Sequence, residues 1–473
     1  MGRRQLNTFF IVLLAAVLSF ILSYDHPFFW DAVSKAGRAN WIFQNDFSSL
    51  IVPEDINSGH PPLWITSLAL VWKLLGQSLW ASRLLLLLVN IGVAYQLIKL
   101  AAKVWNTQIS FYWVLLVFTD PTLSAQSLSL NNDMLLLYFC LLGINALLAN
   151  KVSLYTLALC GLLLTNLRGI YCCAALLLSH LAFIKLKKLS FNRKAIYAYS
   201  TAAIVLAGFL IYQYNELGWI LFTENPKYAE HREMANFSTM AKNSAAYFKA
   251  LSDFGRIALW VILVLLLIKI KNIRSWLAEK SVGTLVVLIV SFGGIFFFGI
   301  AFSNNPLGPR YLLLLYILIA LLLIHTVALS VKNRGHQKLI FGSVLVFFLS
   351  GHFWIYPEQI AQGWDSSLAY LNYYELEQEM LEFINEEELQ TNQIFTYLPM
   401  NSRNMSYLDF SSRDKSKSYP LTKLKERKFV LYSNLENKSS DAQIELYKQW
   451  IPVKKLNKRG VFLNLYQNPN FKD

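Results

Sequence analysis

The sequence predicts a polytopic α-helical membrane protein, and three observations lead to this fold class. Hydrophobic residues make up 55% of the 473 residues, charged residues only 15%, and the mean hydropathy is +0.38. Soluble proteins carry about 25% charged residues. The apolar residues form stretches of roughly 17 to 23 residues, the length with which a helix crosses about 30 Å of hydrocarbon. Short basic loops separate these stretches, so the net charge of +14 indicates cytoplasmic loops rather than a nucleic-acid partner.

About eleven transmembrane helices are predicted. The first follows Arg3 and Arg4, and no small-residue cleavage site comes after it, so we expect an uncleaved span with a cytoplasmic N-terminus. The predicted spans lie at about 8–23, 80–101, 108–119, 134–149, 154–167, 170–186, 196–213, 256–270, 281–301, 310–330 and 339–355. With this orientation every basic loop falls on the cytoplasmic side of an inner or plasma membrane.

Long segments fall on the opposite side of the membrane. They are a first outer loop at 24–79 with interfacial helices, a second at 214–255, and a C-terminal region at 356–473 that follows the membrane domain 1–355. The C-terminal region has an acidic amphipathic helix at 371–389 and strand-like runs at 393–398, 428–432 and 460–466, which predicts a small extracytoplasmic α/β domain. A pore needs no such segments, so they favour chemistry at the outer face.

Three aspartates are candidate catalytic acids at that face. Asp25 directly follows the first span, where a low-dielectric wall raises the pKa of a carboxylate and suits it to general-base work, although it could simply cap a helix. Asp31 begins a helical pattern and is either an N-cap or a second candidate for the base. Asp133 stands at the start of the fourth span, either as a cap or as a second acid of the site.

Basic residues at the outer face form a second group of candidates. His60 follows a glycine and precedes two prolines at a helix start, so it either caps a kinked helix or lies beside an anion at the helix N-terminus. Arg83, Arg168 and Arg310 each stand at the outer end of a predicted span, against the usual charge distribution. They either extend to lipid headgroups or converge as a clamp for a phosphate, and spacing alone does not decide.

In these motifs the sequence resembles the GT-C superfamily of membrane glycosyltransferases, in the branch of the protein O-mannosyltransferases and lipid A aminoarabinose transferases. The resemblance covers about residues 8–330 and follows the order of the family motifs. It rests on the runs Asp25-His26-Pro27-Phe28-Phe29, Gly59-His60-Pro61-Pro62-Leu63, Ser82-Arg83-Leu84, Asp133-Met134-Leu135-Leu136, Arg168-Gly169 and Arg310-Tyr311-Leu312. His26 departs from the family, which has an acidic residue there, Arg168 stands where a lysine is usual, and the C-terminal region matches nothing in the family.

The resemblance implies a GT-C fold and an inverting hexosyl- or pentosyltransferase. The donor would be a polyprenyl-phosphate-linked sugar in the membrane lipid, and the acceptor would be a hydroxyl of a glycan, lipid or protein at the outer face. Asp25 would be the general base with Asp31 in reserve, and Asp133 would position it or the sugar. The lipid phosphate would be held by His60, Arg83, Arg168, Arg310 and Tyr311. No cofactor is predicted with certainty, and a divalent metal ion stays open.

Three other functions remain open at this stage. A transporter or flippase of lipid-linked sugars would share the membrane body, but it should carry ionisable groups near mid-membrane, where the predicted spans are almost uncharged. A ligase that moves a whole glycan from a polyprenyl pyrophosphate is the nearest enzymatic alternative. A non-catalytic scaffold would leave the ordered outer-face motifs unexplained.

Overall fold

A computed structural model shows the architecture of the chain. It describes residues 2–105, 109–190, 192–221, 229, 233–399, 405, 408, 424 and 426–471. The predicted second outer loop at 214–255 and C-terminal domain at 356–473 therefore fall partly outside the described residues. The described part is mostly helical, with one four-stranded sheet near the C-terminus.

The helices are numbered in chain order. In the first part of the chain they are α1 (Arg3–Ser23), α2 (Asp31–Gln44), α3 (Leu63–Leu75), α4 (Leu79–Val104), α5 (Leu115–Phe118), α6 (Pro121–Leu128), α7 (Asp133–Leu148), α8 (Val152–Thr165), α9 (Arg168–Lys185) and α10 (Lys194–Leu217). They continue with α11 (Phe237–Ser252), α12 (Ile257–Lys269), α13 (Ile273–Ala278), α14 (Lys280–Ala301), α15 (Leu313–Ser330), α16 (Arg334–Gly351), α17 (Asn372–Glu386) and α18 (Asp441–Gln449).

The predicted count of eleven spans is not confirmed. In the described part of the chain, 6 helices are long and apolar enough to cross a membrane, and the number rises to 8 if each of two bent helix pairs is one span. The predicted span at 108–119, whose first residue lies outside the described part, holds only a 3-10 turn at Phe111–Val114 and the 4-residue α5. At 14 residues, α8 is also too short for about 30 Å of hydrocarbon. Sequence windows overcount because an apolar run also fits a short buried helix.

Both bent pairs place polar residues at the break between their helices. The bend between α6 and α7 is 118°, and the bend between α11 and α12 is 84°. Asp133 stands at the first bend, and Asp253 and Arg256 stand at the second. A broken helix leaves backbone groups that need partners, so polar side chains are concentrated there.

The predicted first outer loop contains two helices, α2 and α3, that pack against each other. Trp64 and Trp72 of α3 are almost completely buried. Trp30, directly before α2, has φ of 48°, and its indole Nε1 donates a hydrogen bond to the carbonyl oxygen of Leu435, 2.9 Å away. The start of α2 is therefore fixed against the C-terminal region.

The C-terminal sheet has the strand order β1-β2-β4-β3. Its strands are β1 (Ile394–Phe395), β2 (Phe429–Ser433), β3 (Ile451–Lys458) and β4 (Val461–Gln467). β1 and β2 run parallel, and the other neighbouring pairs run antiparallel. One face of the sheet packs against α17 and shares a hydrophobic core with Phe29 of the first loop, so the C-terminal region contacts the loop that precedes α2.

Candidate active site

Arg310 lies at the centre of the charged cluster of the molecule. It belongs to a 3-10 turn at Pro309–Leu312 that leads into α15, and it is almost fully buried. Its guanidinium forms ion pairs with Asp31 at the start of α2 and with Asp365, and its Nε lies 3.3 Å from Oδ2 of Asp133 at the start of α7. Four distant parts of the chain therefore meet at one guanidinium group.

Arg168 adds a second guanidinium to the cluster. One of its terminal nitrogens lies 2.7 Å from Oδ1 of Asp133, so this carboxylate bridges Arg168 and Arg310. The guanidinium carbon of Arg168 also lies 3.9 Å from the centre of the Tyr311 ring, within cation–π distance. Arg168 begins α9 and Asp133 begins α7, so their ion pair joins the starts of these two helices.

Lys35 belongs to the cluster although the sequence analysis gave it no role. It follows Asp31 by one helical turn on α2 and is buried, and its Nζ donates a hydrogen bond to Oδ1 of Asn131. Burial lowers the pKa of Lys35 to about 8, although Asp31 and Asp133 act in the opposite direction. The charge of Lys35 therefore changes near physiological pH.

Asp365 was also missed, because it lies in the chain segment after the last membrane helix. A 3-10 turn at Trp364–Ser366 carries it, and the side chain of Gln126 on α6 donates to its backbone oxygen at 2.7 Å. Oδ2 accepts from Asn131, while Oδ1 is buried without a hydrogen-bond partner among the described residues. Burial raises the pKa of Asp365, and the Arg310 charge opposes this shift only in part. Nothing in its local sequence signals this position.

Asp31 is the accessible carboxylate of the cluster. Its side chain is 58% exposed, whereas the side chains of Asp133 and Asp365 are each 1% exposed. Desolvation by neighbouring atoms would raise the pKa of Asp31, but the charges of Arg310 and Lys35 outweigh it and hold the pKa well below its usual range. Asp31 is therefore an ionised carboxylate that an incoming molecule can reach.

An apolar pocket opens directly beside the two arginines. Asp133, Arg168, Arg310 and Tyr311 line its polar end, and the rest of the wall consists of the apolar side chains Leu136, Leu137, Cys140, Cys172, Phe292, Phe296, Leu313, Leu314 and Leu315. The pocket is narrow, with ≈ 20 Å³ open to a water-sized sphere, so its side chains must move apart to admit a chain. This arrangement suits an amphiphile with an anionic head and a hydrocarbon tail.

Arg83 and Asp25 lie elsewhere. Arg83 donates hydrogen bonds to the backbone oxygens of His26 and Leu128, each at 2.9 Å from one of its nitrogens. It therefore links the first loop to α6. Asp25 is exposed and forms no ion pair with Arg310. The structure therefore assembles Asp31, Asp133, Arg168, Arg310 and Tyr311 from the predicted set.

His60 lies in a turn that packs against α2. Gly59, with φ of 72°, donates its backbone N–H to Oδ1 of Asn57 at 2.6 Å, and Ser58 accepts a hydrogen bond from Arg38 on α2. His60 itself is half-buried. The turn thus contacts α2 about two helical turns along the helix from Asp31.

The described residues include no group of three or more His, Cys, Asp or Glu side chains placed to hold a metal ion. The three carboxylates of the cluster instead surround the Arg310 guanidinium. The possible divalent metal ion of the sequence analysis thus has no candidate ligand set within the described ranges.

Two crystal structures are similar to this chain over nearly their whole length. One is ArnT from Cupriavidus metallidurans bound to undecaprenyl phosphate, with a TM-score of 0.55, 12% sequence identity, and coverage of 98% of this chain and 99% of that chain. The other is the same protein in the apo state, with a TM-score of 0.51 at the same identity and coverage. No family model matches the chain, and no curated protein matches it. The chain therefore has the fold of ArnT, a GT-C glycosyltransferase, as the motifs predict. Together with this fold, the long apolar helices indicate an integral membrane protein.

Proposed function

We propose that this protein is a glycosyltransferase that moves a sugar from a polyprenyl-phosphate-linked donor to a hydroxyl group of an acceptor at the outer face of the membrane, with inversion at the anomeric carbon. The GT-C fold supports the general class, and the site supports the chemistry. The sugar and the acceptor are left open.

The proposal rests on the pocket in which the charged side chains of Arg168 and Arg310 adjoin a wall of apolar side chains. A polyprenyl phosphate has one anionic head on a hydrocarbon chain, and the pocket has two guanidinium groups at one end of an apolar cleft. Guanidinium groups bind phosphate oxygens in pairs of parallel hydrogen bonds. The similar ArnT crystal structure is described as bound to undecaprenyl phosphate.

The leaving group explains why two arginines are needed. When the bond between the anomeric carbon and the phosphate oxygen breaks, its electron pair stays on that oxygen, and the lipid phosphate gains one negative charge. Donors that are already positioned for this charge lower the barrier without reorganisation. Asp133 holds both Arg168 and Arg310 in position, since it contacts each of them.

Asp31 replaces Asp25 as the proposed general base. The acceptor hydroxyl loses a proton as it attacks the anomeric carbon, and the exposed Asp31 carboxylate takes that proton. In the structure Asp31 is paired with Arg310, which makes it a weak base. A bound phosphate would compete for Arg310, and the pKa of Asp31 would then rise toward the value that favours proton transfer. Donor binding would thus activate the base.

The experiment uses the purified full-length protein in lipid nanodiscs with one of two synthetic donors. One is a sugar linked to polyprenyl phosphate, and the other is an oligosaccharide linked to polyprenyl pyrophosphate. We expect consumption of the first donor, with release of polyprenyl phosphate. Asp31→Asn should lower turnover about 100- to 10,000-fold, the usual contribution of a general base. Asp25→Asn, an equal change six residues earlier, should keep turnover within a fewfold of wild type.

Three outcomes would each contradict a part of this proposal. Exclusive use of the pyrophosphate donor would make the protein a glycan ligase. Movement of either lipid between leaflets without chemical conversion would make it a transporter. Equal loss of turnover in Asp25→Asn and none in Asp31→Asn would restore Asp25 as the base.

A further inference from the structure

A second cavity lies on the C-terminal sheet, on the face opposite α17. Its volume is ≈ 310 Å³, within the range of small-molecule sites. Tyr432 pairs with Asn464 across β2 and β4, and Asn457 pairs with Phe462 across β3 and β4, so these side chains point to one face. α18 covers part of this face through Ile444 and Tyr447. The cavity is the part that α18 leaves uncovered.

The chemistry of the lining combines aromatic rings with amides. Phe462 and Tyr432 form an edge-to-face ring pair with centres 5.6 Å apart, and Tyr466 accepts a hydrogen bond from the Asn464 amide at 3.1 Å. Asn457 at the same face is exposed. Aromatic faces are electron-rich and attract the weakly positive C–H groups of a sugar ring, while amides both donate to and accept from hydroxyls. This combination suits a saccharide better than a purely apolar ligand.

The charges at the rim indicate which kind of saccharide. Lys448 lies 3.5 Å from Glu358, so these two lining charges compensate each other. Lys455 lines the same cavity, is exposed, and forms no ion pair within the described part of the chain. One positive charge is therefore left for a ligand, and it favours a saccharide that carries a carboxylate or phosphate.

We propose that this cavity binds an acidic oligosaccharide, and that it holds a part of the acceptor distant from the reacting hydroxyl. The second half of this inference rests on the proposed function, whereas the binding itself does not. The cavity face is opposite to the one that packs toward Phe29 and the first loop. A ligand that occupies it and also reaches Asp31 must therefore be a chain of several sugar units.

The experiment measures binding of two tetrasaccharides to the full-length protein in detergent by isothermal titration calorimetry. Tetragalacturonate is the acidic probe, and maltotetraose is a neutral probe with the same number of α-1,4-linked units. We expect the acidic probe to bind about 5-fold tighter, as one exposed charge pair allows, and to lose this preference in high salt. Asp31→Asn should bind like wild type, so the result is independent of whether the protein transfers sugars.

Neighbouring lysines on β3 provide a matched pair of variants. Lys455→Ala should remove the preference for the acidic probe, whereas Lys454→Ala should not, because Lys454 faces α17 and lies 3.3 Å from Glu379. Phe462→Ala should weaken binding of both probes about 10-fold. The proposal is overturned if wild type binds neither tetrasaccharide, or if Lys454→Ala and Lys455→Ala change the preference equally. Both lysine changes are at exposed or half-exposed positions and should leave the Tm unchanged.

Discussion

Two buried arginine clusters differ in what surrounds them. Arg256, at the bend before α12, contacts Asp120 through two 2.7 Å bonds, donates to Thr122 at 2.6 Å, and stacks 3.6 Å from the Tyr316 ring. All of these partners are buried, and the Arg256 guanidinium is paired with one carboxylate, that of Asp120. Arg310 instead meets three carboxylates, with Arg168 and Lys35 close by, and its cluster opens to a pocket and to solvent at Asp31.

The difference shows what separates a structural ion pair from a candidate site. Each Arg256 donor has a fixed partner, so the pair joins α6 to α12 and has no capacity for another ligand. In the Arg310 cluster three carboxylates share one guanidinium group, and one carboxylate can release it when an anion arrives. A candidate site is therefore indicated by several interacting ionisable groups beside a pocket, and not by the burial of a single ion pair.

The largest effect on stability is expected at the closed cluster. Arg256→Met removes the cation that pairs with the buried Asp120 carboxylate, and an uncompensated buried charge costs about 3–5 kcal/mol. We expect a lower thermal transition temperature and lower yield in detergent. Asp120→Asn combined with Arg256→Met should recover part of the loss, since no charge then remains unpaired. A double variant as unstable as Arg256→Met would contradict this view of the pair.

The largest effect on turnover is expected at the open cluster. Arg310→Lys keeps one positive charge but loses the planar guanidinium, so turnover should fall about 100- to 1,000-fold, as when one transition-state donor is removed. The same change at Arg256 is the control, and it should reduce turnover by no more than its effect on the folded fraction. Initial rates with the donor, measured beside thermal unfolding of each variant, test this. Similar turnover in the two variants would mean that Arg310 is structural too.

A smaller effect should appear in the pH dependence. The pKa of Lys35 is about 8, so its positive charge beside the arginines is lost as the pH rises through 8. The KM for the donor should therefore rise about tenfold between pH 7 and pH 9, the contribution of one charged hydrogen bond. Lys35→Arg should keep the KM flat across this range, and Lys35→Met should show the high KM at both ends. A rise that persists in Lys35→Arg would come from another group.

Much of the site follows from local patterns, because its residues mark the ends of membrane helices. Arg168, Arg310 and Asp133 stand out in the sequence as charges at the edges of apolar runs, and they do meet. Asp25 is the first candidate from sequence because it comes first after α1, whereas the structure places Asp31, at the start of α2, in an ion pair with Arg310. Asp365 could not be found, since its place depends on contacts with α6 far away in the chain.

For the fold as well, local sequence patterns predict the long helices and most strands but not the features that depend on contacts between distant parts of the chain. Each of the six long apolar helices coincides with a predicted span, and three strand-like runs coincide with β1, β2 and β4. The predicted spans that are not confirmed fall mainly on short helices, because hydrophobic composition does not report helix length across a bend. β3 was missed because its lysines and asparagine interrupt the alternation that marks a strand.

The insertion of Asp365 beside Arg310 has a practical consequence for protein engineering. The C-terminal region looks from sequence like a detachable module that could be exchanged between homologous enzymes by cutting after the last membrane helix. A chimaera made in this way would replace one wall of the candidate active site along with the module. Grafting should therefore cut downstream of Leu371, so that the host keeps its own third carboxylate.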